Sequence, residues 1–276
     1  MPLNVFAPFT LIEAEKLNEN FTFVQTGLTD IAVTGAVTLV SSSLSSGPAT
    51  LQWHVCTGTT TNYTVTLPAV SGNDGKYFAV RMSPLLTKLV TLSGNGNETI
   101  NGSTTRIMHH NETAVLYCDG TQWLKVAGIS LPMRCQMALP SVQFNVAPNG
   151  VKVNITTINI DTTGLMADST NSRIYIRRGG QYTLTAKVQF HSLSTNSIRI
   201  ISFAFKNSTA SVYYSQAEGY GAAGGFPTPS ASSIGSFATG DYLELIGFHS
   251  SSNNEAFGGD GTSSGSILEL REELSW

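Results

Sequence analysis

From about residue 35 onward the chain is written in short runs that alternate large apolar residues with small polar ones. Each run is cut by a Gly, Gly-Asn or Asp-Gly turn, which leaves no room for a helix of about ten residues or more. "GGQYTLTAKVQF" shows the rhythm best. Tyr182, Leu184, Ala186, Val188 and Phe190 fall on one face, and Gln181, Thr183, Thr185, Lys187 and Gln189 on the other. That is the pattern of a half-buried antiparallel strand. "NYTVTLP", "GKYFAVRM", "KLVTLSG", "ETINGS", "TAVLYCDG" and "QWLKVAG" repeat it between residues 35 and 130, with tight-turn residues between them. The sequence therefore predicts an all-β protein.

Two runs break the alternation. "SIRIISFAF" and "DYLELIGF" carry bulk on both faces. In the second, Leu243 and Leu245 share one side, while Tyr242, Glu244, Ile246 and Phe248 share the other. A strand that is apolar on both sides must be covered on both sides. In a two-sheet sandwich the opposite sheet covers one face, and the sequence offers no amphipathic helix for the other. A second copy of the chain is the economical cover, so Tyr242, Ile246 and Phe248 are expected at a subunit interface.

The start of the chain reads differently. Thr10 followed by Glu13 is a capping box, and Ala14, Leu17, Phe21, Val24, Leu28 and Ile31 then recur at steps of three and four. One narrow apolar stripe favours association with copies of itself. The competing reading is a single helix lying on its own β-domain. The expected organisation is a helical stalk at 1–34, a small β-domain at 35–130, a linker at 131–140 marked by Pro132 and Pro140, and a sandwich at 141–276.

Composition narrows the function. Charged residues are 12% of the chain against roughly a quarter in ordinary domains, and the formal net charge is -3. No basic cluster is present to hold nucleic acid or an anionic membrane. No run approaches the ~20 apolar residues of a membrane span. The first residues lack the pattern of a secretory signal, so synthesis in a cytoplasm is expected. Cys56, Cys118 and Cys135 form no ligand-spaced pair and read as free thiols. His109 and His110, adjacent on a strand, point to opposite faces and are not expected to share a metal. No cofactor is expected.

The residues also carry a resemblance. "INIDTTGLMADSTNSRIYIRRGGQYTLTAKVQF", then "ATGDYLELIGF" and "SILELREEL", is similar to the C1q/TNF-like jelly roll, in the Gly180 to Tyr182 strand start, the Gly240-Asp241 turn and the terminal strand Ile267 to Leu274. The resemblance covers roughly the last 120 residues and implies a homotrimer. No collagen stalk accompanies it. Instead "AEKLNENFTFV", Leu67-Pro68, Gly75 to Tyr77 and Asp119 to Trp123 resemble segments of bacteriophage fibre proteins. Together these imply a phage spike or short fibre. Its N-terminal part would be held by other virion proteins, and its head would attach to a bacterial surface polysaccharide.

An enzyme is not expected, although sugar hydrolysis, which needs two carboxylates across a groove, is the chemistry to weigh. Asp161, Asp168, Glu218, Asp241, Glu244, Asp260, Glu269, Glu272 and Glu273 are the carboxylates to place, and no pairing stands out among them. For binding, "SVYYSQAEGYGAAGGFPTPSASS" offers Tyr220 and Phe226 in an expected loop. "HSSSNNEAFGGDGTSSG" offers Asn253, Asn254 and Phe257 in another. The rival reading is a purely structural virion module, and a TNF-type signalling ligand is a third.

Overall fold

The computed structural model describes residues 30–47, 51–58, 60–148, 150–191, 193–194, 198–207 and 209–273. The expected helical residues Ala14, Leu17, Phe21, Val24 and Leu28 lie outside them. Among the described residues the secondary structure is β apart from one short 3-10 turn, and no helix is long and apolar enough to cross a membrane. The chain divides into two compact units between Ile129 and Ser130.

The first unit contains β1 (Ile31–Val33), β2 (Val37–Thr38), β3 (Trp53–Cys56), β4 (Tyr63–Thr66), β5 (Tyr77–Met82), β6 (Val90–Ser93), β7 (Thr105–Met108), β8 (Thr113–Cys118) and β9 (Trp123–Ala127). Its strands do not form successive hairpins. β1, β3 and β5 pair in parallel in one sheet, and β2, β4 and β6 pair in parallel in another. The chain thus crosses from sheet to sheet and stacks coil on coil as a short β-solenoid, Ile31 against His54 and His54 against Val80. Ile31 belongs to this stack, so the apolar spacing that ran into it from the N-terminal segment does not make it helical. β7 joins β6, and β8 and β9 extend the first sheet, all antiparallel. The indole of Trp123 is buried and donates to the Pro68 carbonyl at 3.3 Å.

His54 sits inside the coils, with Nδ1 3.2 Å from the Ala79 carbonyl and its ring 4.7 Å from that of Phe78. Burial, outweighing that hydrogen bond, holds the imidazole below its ordinary value of 6.5. The unfolded chain therefore binds the proton more readily. His54 contributes stability above about pH 6.5 that is lost as pH falls toward its folded value. The urea midpoint of this unit is expected to drop between pH 7 and pH 5, and more steeply than in a His54→Asn variant. Parallel curves for the two proteins would remove His54 from the explanation.

The second unit contains β10 (Arg134–Ala138), β11 (Gln143–Val146), β12 (Val151–Lys152), β13 (Thr157–Asp161), β14 (Ala167–Asp168), β15 (Arg173–Tyr175), β16 (Gly180–Lys187), β17 (Gln189–Phe190), β18 (Ile198–Lys206), β19 (Thr209–Gly221), β20 (Ser230–Phe237), β21 (Tyr242–His249), β22 (Glu255–Gly258) and β23 (Ile267–Glu273). One sheet runs β13-β10-β23-β16-β20, and the other β14-β15-β21-β18-β19, with β12 also on β21. The pairs are antiparallel. Taking β10, β15, β16, β18, β19, β20, β21 and β23 as first to eighth, one sheet holds the first, eighth, third and sixth and the other the second, seventh, fourth and fifth. This is the jelly-roll arrangement. Residues 131–140 are accordingly not a free linker: β10 is a central strand, with Met133, Cys135 and Met137 in the core.

Between the sheets lie Tyr182, Leu184 and Ala186 of β16, and Val188 just beyond it, with Leu243 and Leu245 of β21 and Leu268 and Leu270 of β23. The other side of β21 is largely covered from within the same chain. The Arg173 guanidinium lies 4.2 Å over the Tyr242 ring, which meets Tyr175 edge-on. Glu244 is buried between Lys152 Nζ at 2.5 Å and Arg173 at 3.2 Å. Ile246 packs on Ile201, with the half-buried Phe248 beside them. The three cysteines are free and buried, and desolvation pushes the Cys56 thiol up to about 11.

Candidate functional site

Strand register defines two ends of the jelly roll. Ala138 is opposite Ile267, Ile267 opposite Lys187, and Lys187 opposite Ser230. At the other end Arg134 is opposite Arg271, and Gln181 is opposite both Glu273 and Ser236. The chain enters this unit beside Arg134. The connections that leave Ala138 and Lys187, and those that lead into Ser230 and Ile267, therefore gather at the remote end.

A small sheet, β11-β22-β17, is built from those connections. Its inward side carries Val146, Phe190 and Phe257, all buried. Phe257 stands edge-on to Phe190 at 5.4 Å and is 0% exposed, so it is a core residue and not a receptor contact. His249 closes the same layer, its Nε2 3.0 Å from the Val146 carbonyl.

The outward side is different. Phe144 is 67% exposed and Phe226 is 53% exposed. His191 stands between them, its ring 6.5 Å from Phe144 and 5.1 Å from Phe226, edge-on to both. The backbone explains the alignment. β11 has an irregular register between Gln143 and Val146, with Asn145 at φ 58°, and such bulges re-aim a side chain. His191 donates its N–H to the Ala256 carbonyl of β22. The loop bearing Phe226 is tied down by Phe190 N–H to Pro227 O, Leu193 N–H to Gly225 O and Gly224 N–H to Leu193 O.

Of the expected binding residues, Phe226 is at this remote end and exposed. Asn253 and Asn254 are exposed in the connection before β22. Beside them Glu255 is buried and accepts from the Ser194 N–H and hydroxyl. Tyr220 is not in a loop: its backbone is part of β19, opposite Arg199. Phe144 and His191 were missed. The only signal for Phe144 was its place in "SVQFNVAPNG", and His191 stood alone in the sequence.

The side chain of Glu218 lies outside those described, and the other carboxylates considered for catalysis are engaged locally. Asp161 accepts from the backbone of Thr163, Gly164, Met166 and Ala167. Asp168 holds Asn171, and Asp241 holds Lys206, Asn207 and the Ala238 N–H. Hydroxyls of Ser264 and Thr262 keep Asp260 down at about 2. Glu269 pairs with Arg134 and Gln136, Glu272 with Arg178, and Glu273 with the Thr183 hydroxyl. Among the described residues no three or more His, Cys, Asp or Glu side chains gather as metal ligands.

No protein-family model and no curated protein matches the chain. Among solved structures, the chain is similar to murine APRIL at pH 5.0, with 9% identity and a TM-score of 0.40 over 52% of this chain and 100% of that one. Eiger TNF from S. frugiperda gives 7% identity and 0.40 over 53% and 96%. The globular domain of zebrafish complement 1qA gives 8% and 0.38 over 52% and 98%. The jelly-roll assignment rests on the strand order above, independently of these likenesses.

Proposed function

We propose that the chain is the subunit of a trimeric virion appendage, a phage tail fibre or head spike, whose jelly-roll head attaches the particle to a glycan on the bacterial surface. The observation that carries the reading is the pair of exposed aromatic rings, Phe144 and Phe226, at the end of the head remote from where the chain enters it. Large apolar residues grouped at a surface mark interaction sites. The coil unit that precedes the head, and the fibre-like segments within it, support the appendage. Self-association is supported by Ile234, 68% exposed beside Thr183 on the outward face of the first sheet. Three weak sites on one trimer, multiplied over several appendages, raise avidity by ~10²–10⁴ without a strong single contact. The described carboxylates are committed to loops and ion pairs, which favours binding over hydrolysis.

Light scattering of the full chain is expected to give the mass of three chains. The labelled protein is then mixed with a panel of bacterial strains and with their purified surface polysaccharides. Saturable binding to a subset of strains, abolished by periodate treatment of the cells, is the expected result. A monomer, or a failure to bind any strain or polysaccharide, would overturn the proposal.

A further inference from the structure

The geometry points to Phe144, His191 and Phe226 as one binding site for a neutral sugar ring. The inference rests on the attachment proposed above and locates it. Three observations converge. The residues come from three connections far apart in sequence, yet the β11-β22-β17 sheet and the Pro227 and Ala256 hydrogen bonds bring them into one row. Both phenyl rings are left more than half exposed, although the neighbouring aromatics Phe190 and Phe257 are fully buried on the other side of the same small sheet. And none of the three side chains carries a fixed charge, while the carboxylate of nearby Glu255 is buried and accepts from Ser194.

That charge pattern chooses the ligand. A phosphate, an acidic peptide or an anionic lipid surface asks for Arg or Lys in the row, and a basic partner asks for an open carboxylate. What the row offers is the electron-rich face of two rings and, between them, an imidazole that can donate and accept hydrogen bonds. A pyranose presents the complement: an apolar face of C–H groups to lie on a phenyl ring, with hydroxyls at its rim to meet His191. Loop backbones fixed by hydrogen bonds at Gly224, Gly225 and Pro227 mean that little ordering is needed on binding.

The test uses the full chain and an array of neutral hexoses, their disaccharides and purified bacterial polysaccharides. Wild-type protein is expected to bind a subset. Phe144→Ala and Phe226→Ala are each expected to weaken that binding tenfold or more, with Phe144→Trp retaining it and Leu85→Ala, an exposed apolar change in the first unit, leaving it unaltered. Each variant is checked for an unchanged melting temperature and mass, which the exposure of both rings predicts. Sugar binding that survives both alanine variants overturns the site but leaves attachment standing. So does a protein that binds cells and no sugar, which makes its receptor another kind of molecule. A change of mass in Phe144→Ala makes the row a subunit contact and also overturns it. If neither cells nor sugars are bound, the attachment reading and the site fall together.

Discussion

Replacing Glu272 by alanine, or Arg178 by methionine, is expected to cost the jelly-roll unit about 3–5 kcal/mol. The melting temperature should fall by roughly 6–20 °C. Both groups are buried. Arg178 donates from Nε to Glu272 Oε1 at 2.7 Å and from its terminal nitrogen to Oε2 at 2.6 Å. The same guanidinium reaches the Leu131 carbonyl at 2.9 Å, and Glu272 Oε2 accepts the Met133 N–H at 3.0 Å. The Arg178 carbonyl in turn takes the hydroxyl of buried Tyr182 at 2.7 Å. Burial first, and the Glu272 charge second, push the Tyr182 phenol up. The pair thus fastens the entering chain to β23 and to the start of β16. Its value lies less in attraction than in the penalty for separating it, because either charge alone would sit unsolvated in the core. A double variant, Arg178→Met with Glu272→Leu, removes both charges and should recover much of the loss. Urea or thermal unfolding of the full chain measures all three. Single variants within 1 kcal/mol of wild type would show that water reaches the pair.

This pair is not legible in the sequence, where Glu272 is one of several carboxylates with no evident pairing and nothing singles out Arg178. What was legible were features that depend on a strand's own side chains. The two faces of "GGQYTLTAKVQF" are as read, because period-two alternation reports burial on one side whatever the neighbour. For the same reason the neighbour's direction was not legible. Trp53–Cys56 and Tyr63–Thr66 alternate as hairpin strands would, yet they pair in parallel between coils. The flanking Pro132 and Pro140 make β10 read as a linker, although Met133, Cys135 and Met137 already alternate in the sequence. The second face of "DYLELIGF" demanded a cover, and the sequence suggested another subunit. Much of it comes instead from Lys152, Arg173 and Tyr175 of the same chain, long polar side chains lying along the strand.

The site shows the same limit. Phe226 was legible because a Gly- and Pro-rich stretch seldom hides an aromatic ring. Its companions were not, since only the fold brings Phe144 and His191 beside it. Phe257 looked equally loop-borne among Gly, Ser and Asn, but its partner is a glycine in a different strand, and a missing side chain leaves no trace in a pattern of apolar residues.

That pairing makes the second large prediction. A Cβ added at Gly247 would stand 2.4 Å from Phe257 Cζ and 2.6 Å from Cε1, inside any real contact. The ring occupies the space that Gly247 leaves on β21 and meets Phe190 edge-on at 5.4 Å. Phe257→Ala should therefore open a cavity and cost about 3–5 kcal/mol. Gly247→Ala should overpack the site and cost about 1–3 kcal/mol. Phe226→Ala, removing the same side chain from the exposed row, should change stability by no more than about 0.5 kcal/mol. Because the first two changes act on one space, combining Gly247→Ala with Phe257→Leu should cost less than the sum of the separate losses, as contacting residues do. Urea midpoints of these variants read the difference directly. Equal tolerance at 257 and 226 would mean that Phe257 leaves the core in solution, and the sheet that supports Phe144 and His191 would then lack the packing that holds the row in place.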